Sequence, residues 1–286
     1  MENTMIETRR FEQERLRYYA RHFVSLDGLV YLPEKRVETE RVFCISGFIV
    51  SVRGEWFLIT AGHVFDEVQQ ARDQGLIIEN WWLDCSYSID ARDSFPTFFD
   101  LASANPIFRH HLESGFDYAF VPILSSSLTR RNLEAAGITA LDEQAWKEDP
   151  PLEFDEYFLL GIPSEFVAYD PPTGKITKVL AVAPMDKFGK EDIPEDVPFR
   201  DGPFLFARLH DAPDDAKNIP HSIKGMSGGP IFGLKHGEED SRYWVIAIQS
   251  WWDRSSRIVR ACYLRILCEG IDAFLQEAEE RSAHRS

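Results

Sequence analysis

The sequence predicts an all-β protein with helices at its ends, on three observations. Short runs rich in β-branched, aromatic and aliphatic residues recur from about residue 40 onward, each bounded by turn residues. Helical patterning is confined to the two termini and two local stretches. A charged, Pro-bearing linker, KEDPPL at 147–152, divides the β-rich part into two halves. Many short strands at this density make Greek-key barrels or sandwiches.

In chain order, residues 5–23 lack Pro and Gly and set Met5, Ile6, Phe11, Leu16 and Phe23 among charges, the pattern of a helix. An N-terminal helical extension is therefore expected over 1–35. The first β half, 36–148, holds runs at 42–52, 56–60, 76–83 and 118–123, with helical turns after His63 and around 128–136. The second half, 149–286, holds runs at 157–161, 177–183, 204–209, 230–234, 243–251 and 258–266, and ends in a helix over 269–281. The stretch 186–202 is long, acidic and proline-bearing, a surface loop expected near a binding cleft.

Composition removes several function classes. The formal net charge is −16, with acidic clusters at 190–201, 211–215 and 238–240. Such a field repels phosphate backbones, so no nucleic-acid partner is expected. The N-terminal arginines (Arg9, Arg10, Arg15, Arg17, Arg21) alternate with Glu7, Glu12 and Glu14 and read as helix charge pairs. No apolar run approaches the roughly 18 residues of a membrane helix, and the N-terminus is too charged for a secretory signal. Cys44, Cys85, Cys262 and Cys268 form neither a disulfide framework nor a C-x-x-C zinc pair. Reduced thiols, a cytoplasmic location, no membrane contact, no metal and no cofactor are the expectations.

Three segments carry chemistry. An apolar run ends in small residues and delivers a histidine, Thr60-Ala-Gly-His63. An aspartate stands directly before another apolar run, Asp117-Tyr-Ala-Phe. A serine sits in a glycine-dense turn that leads into a strand, Gly225-Met-Ser227-Gly-Gly-Pro. Alone, each has an ordinary structural reading: a hydrogen-bonding histidine, a turn aspartate, a tight turn. Together they supply a nucleophile, a base and an orienting carboxylate. A serine hydroxyl attacks only if a base removes its proton, and neutral imidazole does so near pH 7. An ionised carboxylate holds the imidazole tautomer, and backbone N–H groups beside glycine can receive an oxyanion.

These motifs resemble the trypsin-like (chymotrypsin-fold) serine peptidases, whose chain order His, Asp, Ser is matched by His63, Asp117 and Ser227. Ser46-Gly-Phe-Ile, Gly161-Ile-Pro163 and Ile248-Gln-Ser250-Trp251 add to the likeness, which covers roughly residues 40–265. The resemblance implies two six-stranded Greek-key β-barrels packed against each other, with the active site in the cleft between them. The first barrel would carry His63 and Asp117, the second Ser227. It also implies an oxyanion hole from the N–H groups of Gly225 and Ser227. Ser250, Trp251 and Trp252 would contact substrate, and His221 would lie at the floor of the specificity pocket, where it could receive an acidic or polar side chain. The implied substrate is a protein or peptide.

The chain also departs from that pattern. Met226 stands where digestive members hold an aspartate, so ordering of the oxyanion loop by a new N-terminal amine is excluded; an activating partner or substrate is one alternative. Trp252 replaces a common glycine and would either narrow the pocket entrance, favouring small side chains, or block it until a loop moves. Val64 replaces a disulfide cysteine and leaves Cys44 without a partner. The adjacent His110 and His111 point to opposite faces of an extended segment and are read as loop residues. The leading expectation is a narrow-specificity, regulated serine endopeptidase. The alternative is a catalytically silent pseudoprotease that binds peptides or proteins.

Overall fold

The structure, a computed structural model, describes residues 16–87, 96–111, 113–211, 220–237 and 241–283. Its first half is an antiparallel sheet of β1 (Phe23–Tyr31), β2 (Arg41–Val52), β3 (Glu55–Thr60), β4 (Ile77–Asp84), β5 (Thr97–Phe98), β6 (Ile107–His110) and β7 (Asp117–Ile123). The strand order is β5-β4-β1-β2-β3-β7-β6. Helix α1 (His63–Asp73) follows β3, and α2 (Leu128–Ala135) and α3 (Glu143–Lys147) lead into the linker.

The second half begins with β8 (Glu156–Gly161) and the hairpin β9 (Val167–Asp170) and β10 (Lys175–Lys178). Strands β11 (Ala181–Lys187), β12 (Phe204–Leu209), β13 (Pro230–His236), β14 (Ser241–Asp253) and β15 (Ile258–Tyr263) follow, then helix α4 (Leu264–Ala283). Here the strands close into a six-stranded barrel, β11-β12-β15-β14-β13-β8. Its interior is filled by small and branched residues such as Ala183, Leu205, Ala247 and Val259, which suit a narrow barrel.

The all-β class and the closed second barrel are as expected. The first half differs from the expected six-stranded barrel: it is a seven-stranded sheet with β5 and β6 at its edges, and it includes β1, which lies within the residues assigned to a helical extension. Of the helix expected over 5–23, residues 5–15 lie outside the described residues. Residues 16–19 are helical, Ala20–His22 form one 3₁₀ turn, and Phe23 starts the strand. Strand β1 is buried almost throughout, flanked by β2 on one side and β4 on the other. A strand so covered lacks the alternation that reveals strands in sequence. Gly28 fits it for close packing, since a Cβ there would stand 3.0 Å from the Trp81 ring.

Smaller boundaries also move. The run 177–183 is divided between β10 and β11, and the run 258–266 ends at Tyr263 because Leu264 opens α4. Both chain ends cross the halves. Tyr19 packs its ring against Phe158 and Phe232 of the barrel. From α4, Phe274 meets Phe120, and Asp272 pairs with Arg53 at 2.5 Å. No helix among the described residues is long and apolar enough to cross a membrane.

Candidate active site

Strand pairing brings His63 and Asp117 together. Strands β3 and β7 are antiparallel, with Thr60 opposite Ala119. Two residues further, the same register sets the start of α1 beside Asp117. There His63 Nδ1 meets Asp117 Oδ2 at 2.6 Å, and the His63 backbone N–H donates to Asp117 Oδ1 at 2.8 Å. A carboxylate at Nδ1 selects the Nδ1–H tautomer and leaves Nε2 as the free acceptor. Burial lowers the His63 pKa, but the hydrogen bond and charge of Asp117, helped by Glu67 and Asp66, outweigh it; the net shift is upward.

The serine turn is pressed onto that same strand end. Gly228 has φ +86°, and a Cβ on it would lie 2.0 Å from Thr60 Oγ1 and 2.7 Å from the Ala61 nitrogen. Only glycine fits there. The Gly228 N–H donates to the Gln249 carbonyl (2.8 Å), and the Gln249 N–H donates to the Gly229 carbonyl (3.0 Å).

Met226 anchors the loop by full burial, its side chain packed beneath Gly161. Ser46 adds a polar tie: its hydroxyl donates to the Gly225 carbonyl (3.1 Å) and accepts from the Ile162 N–H (3.0 Å). The loop is thus ordered by apolar burial and a serine bridge.

Gly225 has φ +93°. Among the described residues, neither its N–H nor that of Ser227 finds a protein acceptor. Two unpaired N–H groups beside the serine are what an oxyanion hole requires.

His63, Asp117, Gly225, Ser227, Ser250, Trp251 and Trp252 line one cleft of about 820 Å³ between the halves. Among the described residues no hydrogen bond joins Ser227 Oγ to His63; the ring is bonded on its Asp117 side. Such bonds often tighten only when substrate binds.

Strand β14 shifts register against β15 between Gln249 and Trp251, which makes Ser250 a bulge residue at the cleft wall. Ser250 Oγ donates to the Arg260 carbonyl at 3.3 Å. His221 departs from its expected place. It is exposed, its backbone N–H donates to Glu165 Oε1 at 3.0 Å, and it does not line the cleft. The long loops around it left its alignment undefined.

His110 and Arg260 also line the cleft and are not among the site residues expected from the sequence. His110, read as a loop residue, ends strand β6, pairs with Asp66 (2.6 Å) and stands 6.0 Å from the His63 ring. Arg260, opposite Trp251 on β15, is only 6% exposed. Its guanidinium lies within 4.8 Å of the Phe199 ring centroid, 5.2 Å of Phe204 and 5.6 Å of Trp251. Its Nη1–H reaches the Pro198 carbonyl at 3.5 Å, while its buried Nε has no partner among the described residues. Burial pulls its pKa down, only partly offset by Cys262 and Asp117. The signal in the sequence was one charge inside the apolar run Ile258-Val-Arg-Ala-Cys.

No family model and no curated protein matches the chain in sequence. One similar solved structure is a thermostable serine protease, AL20, from an extremophilic microorganism. It is 13% identical, the alignment covers 86% of this chain and 92% of that one, and the TM-score is 0.40. A likeness at that level carries no functional argument, so function rests on the site geometry.

Proposed function

We propose that the chain is a serine endopeptidase of the trypsin-like kind, hydrolysing peptide bonds through an acyl-enzyme on Ser227. The single observation that carries this reading is His63 fixed on Asp117 in a cleft that also holds Ser227, whose turn rests on the strand end delivering the histidine. In the reaction, His63 Nε2 takes the Ser227 hydroxyl proton as Oγ attacks the scissile carbonyl. The oxyanion is received by the N–H groups of Gly225 and Ser227. The proton then passes from His63 to the leaving amine, the C–N bond breaks, and water repeats the sequence to release the acid. Asp117 stays ionised throughout and stabilises the imidazolium. The aromatic wall of Trp251 and Trp252 supports narrow specificity.

A fluorophosphonate probe tests this directly. The intact protein should be labelled at Ser227, Ser227→Ala should not, and His63→Ala should label at least about 100-fold more slowly. Failure of the wild-type protein to label would overturn the proposal. The second reading, a silent peptide-binding module, draws on the missing Ser227–His63 hydrogen bond. The unpaired N–H groups at Gly225 and Ser227 weigh against it, since mere binding does not need them there.

A further inference from the structure

The cleft departs from the acidity of the protein as a whole, since its lining balances three carboxylates with three cations. The chain has a net charge of −16, yet Arg41, Lys224 and Arg260 all line the cleft. Among the described residues none of the three has an ion-pair partner. The acidic groups facing them are largely committed. Asp117 serves His63, and Glu40 is held by Arg36 and Tyr169, which leaves Glu67.

Arg260 is the most telling of the three. Long cationic side chains usually reach water at their tips, and burying one costs heavily unless a counter-ion is near. Here the guanidinium is covered by Phe199, Phe204 and Trp251, whose ring faces offset part of that cost, and no carboxylate completes it. These three rings and the Pro198 carbonyl hold the fork of donors in place. A planar fork already stripped of water suits a carboxylate, which it can hold by two parallel bonds. Its position fits a substrate as well. It lies opposite Trp251 in the β14–β15 ladder, one residue beyond the Ser250 bulge, in the same cleft as Ser227.

We propose that Arg260 is the specificity residue of this cleft and receives an aspartate or glutamate side chain of the peptide substrate, on the acyl side of the scissile bond. Lys224 and Arg41 steer that acidic peptide in through a field that otherwise repels it. This rests on the endopeptidase reading above, and it reassigns to Arg260 the acid-receiving role first expected of His221.

The test uses the intact protein and fluorogenic peptide pools that fix Asp, or its neutral isostere Asn, at each of the four positions preceding the cleaved bond. At one of them Asp should exceed Asn at least about tenfold in kcat/KM. In Arg260→Gln the ratio should fall to about one, while fluorophosphonate labelling of Ser227 persists. Arg260→Lys, which keeps the charge without the fork, should give an intermediate ratio. A parallel arm separates this idea from catalysis: Ser227→Ala should bind the preferred Asp pool more tightly than its Asn match, and Ser227→Ala/Arg260→Gln should not. A ratio of one at every position in both arms, or a preference unchanged in Arg260→Gln, overturns the proposal. Binding preference without labelling would retain the Arg260 role and overturn only the endopeptidase reading.

Discussion

Two buried cations, both near the meeting of the two halves, are treated in opposite ways. Lys178, on hairpin strand β10, reaches into the first sheet and joins Asp27, with Asp84 at 2.8 Å and the Ser25 hydroxyl at 3.0 Å. Arg260, on β15, has aromatic faces and a single carbonyl. Burial works against charge at both. At Lys178 the attraction of Asp27 and Asp84 wins and raises the pKa; at Arg260 burial wins and lowers it. A buried charge with full counter-charge is a fastener between elements. A buried charge without it, facing a cleft, is an open valence for a ligand. The difference separates structure from recognition more sharply than burial alone does.

Breaking the fastener should have the largest effect. Lys178→Met leaves Asp27 and Asp84 buried without their cation, and should cost about 3–5 kcal/mol in urea unfolding. An unchanged midpoint would show that the two carboxylates take up protons without penalty. Asp84→Asn should cost less, about 1–3 kcal/mol, because the ammonium keeps Asp27.

The sign of its pH dependence follows from Asp84. Burial pushes its pKa up, but the charge and hydrogen bond of Lys178 hold it below the ordinary range. Its contribution is therefore present above about pH 4, the unfolded value, and is lost as pH falls through the depressed folded value. The stability gap between wild type and Asp84→Asn should close on acidification below about pH 4; a gap that widens there would contradict the pairing.

Arg260→Met should have the smallest effect on stability, within about 1 kcal/mol in either direction, since it removes an unpaired charge from an aromatic shell. A loss as large as that of Lys178→Met would make Arg260 a fastener too. The proposed catalytic pair, His63 and Asp117, gives a further check on sign. His63 must be neutral to act as base and its pKa is raised, so kcat/KM should climb with a midpoint above about pH 6.5. A midpoint below that value would mean burial governs the ring instead of Asp117.

Much of this molecule was legible because its signals are local. Residues 56–60 and 118–123 carry compact β patterns, and the structure places strands there. The glycines around Ser227 read as a tight turn, and the positive φ values of Gly225 and Gly228 supply the reason. Strand β1 was illegible because coverage on both sides removes alternation, and because Asp27 and Gly28 look like loop punctuation until Lys178 and Trp81 are seen against them. His221 lies off the cleft and Arg260 lines it for a related reason. Spacing along the chain near a serine says little about the cleft when loops of unmatched length intervene, whereas the β14–β15 ladder fixes Arg260 opposite Trp251.

By itself the sequence determined the all-β class and the three residue types that meet in the cleft, since each is written in neighbouring residues. Tertiary structure alone decided that His63 lies on Asp117, that the serine turn bears on Thr60, and that one buried arginine is left without a counter-ion. Those facts depend on which strands pair and what covers them, and pairing joins residues far apart in the chain through contacts that no local pattern encodes.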